Sequence, residues 1–335
     1  MSALSYAIIG TGAIGGYFGG RLQRAGCDVH FLLRSDYQYV RQSGLRIDSI
    51  EGDFVLPQVK AYNNPADMPP VDVVIVALKT THNHRLWALL PQIKPGGAIL
   101  SLQNGFGVEA RMAQQLMAQQ LTAQQLKETK KLGPTVLGGL CFICSNKVGP
   151  GHFHHMDYGK ILLGAHTTDH QPGAPTPLMK SIAADFLAAG VPVDLTDDLP
   201  MARWEKLVWN VPYNGLSVVL EATTEEMMAD ENVRSLILTL MEEVVAIANA
   251  WGQNASPNTR RSLPPDVITT MFTQTESMPP YRTSMKIDYD EKRPLEIEAI
   301  FKSPIGVAQA LGVSVPAMVV LYQQLAFLNP QKSID

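Results

Sequence analysis

Tyr6-Ala7-Ile8-Ile9-Gly10-Thr11-Gly12-Ala13-Ile14-Gly15 decides the fold. Tyr6 to Ile9 is a short apolar run, read as a buried parallel strand. Gly10-Thr11-Gly12-Ala13-Ile14-Gly15 follows at once, and residues 16–25 are compatible with a helix. Gly26 closes that helix, and Asp28-Val29-His30-Phe31-Leu32-Leu33 reads as a second strand. The order is therefore strand, G-x-G-x-x-G, helix, strand. In that context the glycines have separate roles. Gly10 permits the tight turn, Gly12 lets backbone approach a pyrophosphate, and Gly15 lets the helix pack on the strand. The helix N-terminus offers free N–H groups and a positive dipole end to phosphates. Gly10, Thr11, Gly12, Ala13, Ile14 and Gly15 are the expected cofactor-binding loop of a Rossmann-type, doubly wound domain.

The end of the second strand chooses between cofactors. An NAD site wants a carboxylate there for the ribose 2′-hydroxyl. This chain has Arg34 and Ser35, and Asp36 lies beyond the strand end. A guanidinium matches a 2′-phosphate bidentately, and a serine adds a hydrogen bond. The expectation is NADPH over NADH.

Further strands follow outward from this unit. Val73 to Leu78 is a buried strand with Lys79 at its carboxyl end. Ala98 to Leu102 is the next, running into Gln103-Asn104-Gly105. Ligands of open α/β sheets bind outside the carboxyl ends of strands, so Lys79 and Asn104 belong near the nicotinamide half of the cofactor or the substrate. In residues 111–133 Ala-Gln-Gln-Leu occurs three times at a spacing of five, which matches no helical stripe; a glutamine-rich surface helix is expected. Residues 136–147 and 152–164 read as paired strands around Gly149-Pro150-Gly151. His152, His154 and His155 raise a metal site, but His152 and His154 share one strand face while Asp157, alternating with His155, points to the other, so no metal is expected. Cys141 and Cys144 sit in an apolar strand-like run and read as buried strand positions rather than a redox pair.

Residues 191–195 are a last strand, and Thr196-Asp197-Asp198-Leu199-Pro200 is a helix-start signal. The expected domains are 1–198, binding NADP, and 199–335, all-helical and carrying substrate and catalysis. Helices are expected over 201–221, 223–252, 263–276 and 296–328, with Gly312 and Pro316 dividing the last. A loop over 279–294 holds Ser284, Asp288 and Arg293, and Glu296 starts the next helix.

Lys206, Asn210 and Asn214 are spaced i, i+4, i+8, which puts an amine and two carboxamides on one helix stripe. Leu207, Val208, Val211 and Leu216 fill neighbouring positions, so the stripe lies beside a core. An amine next to two neutral amides suits holding and protonating a carbonyl oxygen. The bland alternative is a solvated lysine with two capping asparagines. Pro212 removes one backbone donor, so a kink beside the asparagines is expected.

Composition narrows the class. At 335 residues, two domains are the default. Hydrophobic residues at 46% and charged residues at 17% exclude wholesale disorder. The net charge of −4 gives no electrostatic case for nucleic acid. No apolar run approaches the ~18–20 residues that span a bilayer. The N-terminus lacks a basic region before its first strand, so no signal peptide and a cytoplasmic location are expected.

Taken together, these segments resemble the ketopantoate reductase family, within the 6-phosphogluconate-dehydrogenase-like group. The matching stretches are G-T-G-A-I-G at 10–15, Lys79, L-Q-N-G at 102–105, G-P-G-H-F-H-H-M-D-Y-G at 149–159, W-E-K-L-V-W-N-V-P-Y-N at 204–214, S-M-K-I-D at 284–288 and R-P-L-E-I-E at 293–298. The resemblance implies NADPH-dependent reduction of 2-dehydropantoate, a branched 2-oxo acid, to its 2-hydroxy acid. It implies Lys206 as general acid and Glu296 as partner of the substrate hydroxyl, with Asn104, Asn210, Asn214 and Ser284 holding the substrate. A homodimer is a possible assembly. The family often has Asn-Gly where Phe301-Lys302 stand, and a threonine where Leu295 stands. Two rivals are a related hydroxy-acid or polyol-phosphate dehydrogenase, which on phosphates would want an arginine cluster, and a non-catalytic nucleotide sensor, which would not require Lys206 and Glu296 together.

Overall fold

A computed structural model describes residues 4–125, 133–255, 261–278 and 280–329. The chain divides into two compact units. Unit 1 comprises Met1–Gln103, Val108–Thr168 and Pro172–Leu199; unit 2 comprises Asn104–Gly107, Asp169–Gln171 and Pro200–Asp335.

Unit 1 is built on one ten-stranded sheet. In chain order its elements are β1 (Ser5–Ile9), α1 (Ala13–Arg24), β2 (Asp28–Leu32), α2 (Tyr37–Ser43), β3 (Leu45–Ser49), β4 (Phe54–Leu56), β5 (Lys60–Tyr62), β6 (Val71–Val76), β7 (Ile93–Ser101), α3 (Val108–Gln125), β8 (Thr135–Gly149), β9 (His152–Ala165), α4 (Pro177–Ala188) and β10 (Val193–Thr196). The strand order is β4-β3-β9-β8-β7-β6-β1-β2-β5, with β10 beside β9. From β5 to β8 every pairing is parallel, which is why β1, β6 and the inner half of β7 are continuous apolar runs buried on both faces. The long strands β8 and β9 form the expected hairpin and pair antiparallel. One edge of β9 carries β3 along residues 152–155 and β10 along residues 161–164. Tyr6, Ile8, Phe31, Ile75, Leu100 and Phe153 lie in the core of this unit.

Unit 2 is helical, with α5 (Leu199–Val219, its first residue counted with unit 1), α6 (Thr224–Ala229), α7 (Glu231–Ala255), α8 (Val267–Glu276), α9 (Ser284–Asp290), a π-helical turn (Glu298–Lys302), α10 (Ser303–Leu311) and α11 (Pro316–Leu328). α5 runs unbroken through Pro212. Trp204, Leu207 and Val211 of α5 share a core with Leu240 and Val244 of α7 and with Phe301. Phe301 is therefore a core residue, and its companion Lys302 is exposed beside Glu298.

Several sequence expectations change in detail. The stretch 223–252 is two helices, because Asp230 is extended and its carboxylate accepts from the Asn232 and Val233 amides, starting α7 afresh. The stretch 279–294 is not all loop: Thr283 Oγ1 accepts from the Lys286 amide at 3.2 Å and opens α9, so Ser284 is a helical residue. Gly312 does divide 296–328, in a left-handed conformation that ends α10, and Pro316 opens α11. The glutamine-rich helix is α3, ending at Gln125; the rest of that expectation, residues 126–132, lies outside the described residues. No helix among the described residues is long and apolar enough to cross a membrane.

Candidate active site

The glycine loop links β1 to α1 in unit 1. Gly10 has φ +99°, and a Cβ there would stand 2.6 Å from the Leu78 nitrogen, so only glycine lets this turn lie against the exit of β6. A Cβ at Gly15 would stand 2.2 Å from the Gly10 oxygen, which is the close helix-strand approach expected of that position. At Gly12 a Cβ would meet nothing within 4 Å among the described residues, so this backbone faces open space. Gly12 is also the N-cap of α1, with no side-chain cap and no acidic residue in the first turn. The first amides of α1 are thus left without intrahelical acceptors and with the positive end of the dipole. A pyrophosphate fits both features. Thr11 Oγ1 donates to the Leu32 oxygen at 3.1 Å and ties the loop to the end of β2, while Ala13 and Ile14 form the half-buried start of the helix.

Arg34 and Ser35 follow β2 and are exposed; among the described residues Arg34 makes no ion pair. Asp36 is different. It is buried, and its carboxylate accepts from Ser35 Oγ at 2.9 Å and the Gly151 amide at 3.0 Å, with Lys147 Nζ at 2.6 Å. Burial alone would push this carboxyl up; Lys147, Gly151 and Ser35 outweigh it and hold it below the usual carboxylate range. Lys79 is half-buried and caps a 3₁₀ stretch, Thr80–Leu89. That stretch is tied down by Gln103, whose amide nitrogen donates to the Leu78 and Asn83 oxygens, each at 2.7 Å. Sequence reasoning assigned Gln103 no role; its place beside Asn104 was the signal.

In unit 2, α5 presents Lys206, Asn210 and Asn214 on one stripe. Lys206 is half-buried, and both asparagines are buried. Lys206 Nζ donates to Asn104 Oδ1 at 3.1 Å. Asn104 reaches α5 because Asn104–Gly107 is a part of unit 2 that leaves the sheet: the Phe106 amide donates to the Ala299 oxygen at 2.9 Å, and a Cβ at Gly105 would lie 2.5 Å from Ala299 Cβ. Glu296, expected to start a helix, lies just before it, and its backbone oxygen accepts from the Ile300 amide in the first turn. The residue is 5% exposed. The segment 104–107 therefore touches both the α5 stripe and the turn following Glu296.

Asn214 Oδ1 is buried with no hydrogen-bond partner among the described residues. A sealed, unpaired amide oxygen costs about 1–3 kcal/mol, so a ligand donor is its natural complement. The Asn214 backbone oxygen accepts from Ser217 Oγ at 3.0 Å, and Ser217 Oγ meets Thr283 Oγ1 at 2.8 Å. This chain of hydrogen bonds fixes the start of α9, where Ser284 sits, against the end of the stripe. Ser217 and Thr283 escaped the sequence reading, although Ser217 lies one turn beyond Asn214 on the same face. Chemically, the stripe can offer an ammonium and neutral amides to a carbonyl oxygen, while Glu296 comes from a distant part of the chain.

Of His152, His154 and His155, the first and last have partners among the described residues. His155 is fully buried, with Nδ1 2.9 Å from Ser49 Oγ and Nε2 facing the Asp157 and Tyr158 oxygens, and His152 pairs with Asp48.

A family model described as ketopantoate reductase PanE/ApbA matches residues 6–168, and its C-terminal counterpart matches residues 198–329. A 2-dehydropantoate 2-reductase of Nostoc sp. is 52% identical over 98% of this chain and 96% of its own. The crystal structure of a 2-dehydropantoate 2-reductase from Geobacter metallireducens superposes with TM-score 0.85 at 39% identity, covering 97% of this chain and 99% of that one. A D-mandelate dehydrogenase solved with NADH and anilino(oxo)acetate gives TM-score 0.80 at 19% identity over 97% of this chain and 98% of that one, a likeness of fold alone.

Proposed function

The chain belongs to the ketopantoate reductase family, and from that premise we propose that it reduces 2-dehydropantoate to pantoate, with NADPH as hydride donor. When bound, NADPH would supply the hydride to the carbonyl carbon; the rest falls to this chain's own side chains. Residues 1–198 act as the NADP-binding domain and residues 199–335 as the substrate and catalytic domain. The loop Gly10, Thr11, Gly12, Ala13, Ile14, Gly15 takes the pyrophosphate, Arg34 the 2′-phosphate, and Lys79 and Asn104 the nicotinamide side. As the carbonyl carbon is reduced, negative charge grows on its oxygen. Lys206 stabilises that charge and delivers the proton, so the products are the 2-hydroxy acid and the neutral amine. Asn104 fixes the amine, Asn210, Asn214 and Ser284 hold the substrate, and Glu296 accepts a hydrogen bond from the substrate's own hydroxyl. The enzyme is a homodimer working in the cytoplasm on a small-molecule substrate.

The single observation that supports this reading most is the 3.1 Å hydrogen bond from Lys206 to Asn104 beside two buried carboxamides. The test is NADPH oxidation with 2-dehydropantoate and a panel of 2-oxo acids lacking its hydroxyl. The highest kcat/KM should fall on 2-dehydropantoate. A preference for another 2-oxo acid, or no turnover with any, overturns the reading. Light scattering of the purified protein tests the dimer, which a monomeric mass would refute.

A further inference from the structure

Between β2 and α2 lies one acid, Asp36, two residues past Arg34. In nicotinamide-binding domains, an acid near this place serves the ribose 2′-hydroxyl of NADH and repels the 2′-phosphate of NADPH. Here its carboxylate is fully committed elsewhere. Lys147, from β8, approaches Oδ2 at 2.6 Å; the Gly151 amide, from the β8–β9 turn, donates to the same oxygen at 3.0 Å; Ser35 holds Oδ1 at 2.9 Å. The Asp36 side chain is 8% exposed, while Lys147 keeps 34% of its side chain in solvent. Arg34, by contrast, stands exposed and unengaged by any ion pair among the described residues.

We infer that Lys147 is a specificity-determining residue for the cofactor: by pairing with Asp36 it withdraws the acid of this turn from the ribose and leaves the turn to Arg34. Lys147 is a positioning residue and acts through Asp36. The physical reason is charge. A buried carboxylate stripped of its cation is strongly destabilised and regains stability by turning towards water or a hydroxyl donor. At this turn such a donor is the 2′-hydroxyl of NADH, and the nearby charge opposes a 2′-phosphate. The β8–β9 hairpin thereby sets a choice made at the end of β2. The inference rests on the NADPH reading above and adds the residue that enforces it.

The test uses Lys147→Met, Lys147→Arg, Asp36→Asn and the double variant Asp36→Asn/Lys147→Met in the full-length enzyme. Steady-state kinetics with NADPH and NADH, and binding of 2′,5′-ADP and 5′-AMP by calorimetry, are the readouts. Lys147→Met should lower the NADPH-to-NADH ratio of kcat/KM by at least ~10-fold, carried by KM, with kcat at saturating cofactor unchanged. Lys147→Arg should keep the wild-type ratio. The double variant should recover it, because a neutral amide neither repels phosphate nor needs a cation. Asp36→Asn alone should stay within ~3-fold of the wild-type ratio, a difference under ~1 kcal/mol. An unchanged ratio in Lys147→Met, or a double variant no better than the single one, overturns the inference. If Lys147→Met does not fold, Asp36→Asn decides: a collapsed NADPH preference there would mean that Asp36 holds the cofactor, and the inference fails. Wild-type enzyme that does not prefer 2′,5′-ADP to 5′-AMP refutes the NADPH reading itself. Wild-type preference for 2′,5′-ADP, retained in Lys147→Met, refutes only the role of Lys147.

Discussion

A proton delivered to a forming alkoxide comes best from a donor that is held in place and shielded from water. Lys206 is half-buried and bonded to Asn104, which meets both conditions. Lys206→Ala is expected to lower kcat by roughly 10²–10⁴, the usual contribution of a general acid. NADPH affinity, followed by fluorescence titration, should change little. Near-normal turnover would reduce Lys206 to a structural lysine. Arg34 stands exposed just past the end of β2. Arg34→Ala should weaken NADPH binding by about 1.5–3 kcal/mol, the range for a charge-assisted hydrogen bond, and leave NADH binding nearly unchanged. Equal losses for both cofactors would remove Arg34 from the 2′-phosphate. The placement of both residues was legible in the sequence because local spacing carries it: Lys206 sits at a helical i, i+4, i+8 repeat, and Arg34 just past a strand end. Asp36 was only half legible. Its position beyond the strand was visible, but its partner Lys147 comes from a distant strand, and no local pattern announces that pairing.

At the scale of one element, caps and burial decide what the pattern cannot. α11 begins after Val315, which has no side chain able to cap it, yet its first amides are satisfied. Glu243 of α7 supplies both acceptors: Oε1 takes the Ala317 amide at 2.9 Å and Oε2 the Met318 amide at 2.8 Å. Pro316 is a visible helix start, but a cap arriving from another helix has no sequence signature. Glu243→Ala should cost ~1.5–3 kcal/mol by chemical denaturation, as expected for bonds to a charged acceptor. A loss within ~0.5 kcal/mol, typical of plain surface substitutions, would show that the two amides find other partners. α9 went unread as a helix for a related reason: seven residues give too little periodicity, and its start depends on the Thr283 cap. His155 gives an element-scale pH effect on β9. Burial pushes its imidazole below the ordinary value. The folded protein keeps it neutral, whereas the unfolded chain takes up a proton below about pH 6.5. Stability is therefore full above about pH 6.5 and falls as pH drops through that value towards the lowered folded one. Denaturation midpoints of wild type and His155→Gln at about pH 8 and about pH 5.5 measure this, and wild type should lose more. Equal losses would assign the pH dependence to other groups.

Over the whole molecule, the order of the two units along the chain was legible, since the early sequence carries strand runs and the late sequence helical ones. The exchange of short segments was not. Asn104–Gly107 follows a strand of the sheet but belongs to the helical unit, held by the Ala299 backbone and by the lack of a side chain at Gly105. Nothing local in Gln103-Asn104-Gly105 tells that a residue nearly two hundred positions later will press against it; only long-range packing does. The same folding brings the 104–107 segment against both the Lys206 helix and the turn behind Glu296. Glu296 is 5% exposed. If Glu296 reads the substrate hydroxyl as proposed, a substrate without that hydroxyl forfeits one charge-assisted hydrogen bond at a buried carboxylate, worth about 1.5–3 kcal/mol. Glu296→Ala should accordingly reduce kcat/KM sharply for 2-dehydropantoate and much less for 2-oxoisovalerate, which has no hydroxyl. As a helix-start residue favoured only by the dipole, Glu296 would instead contribute ~0.3–1 kcal/mol to stability and leave substrate choice alone. Measuring kcat/KM for both substrates with both enzymes separates these roles. Should the two substrates suffer alike, Glu296 does not read the hydroxyl, and the preference for 2-dehydropantoate must come from the amide stripe and Ser284.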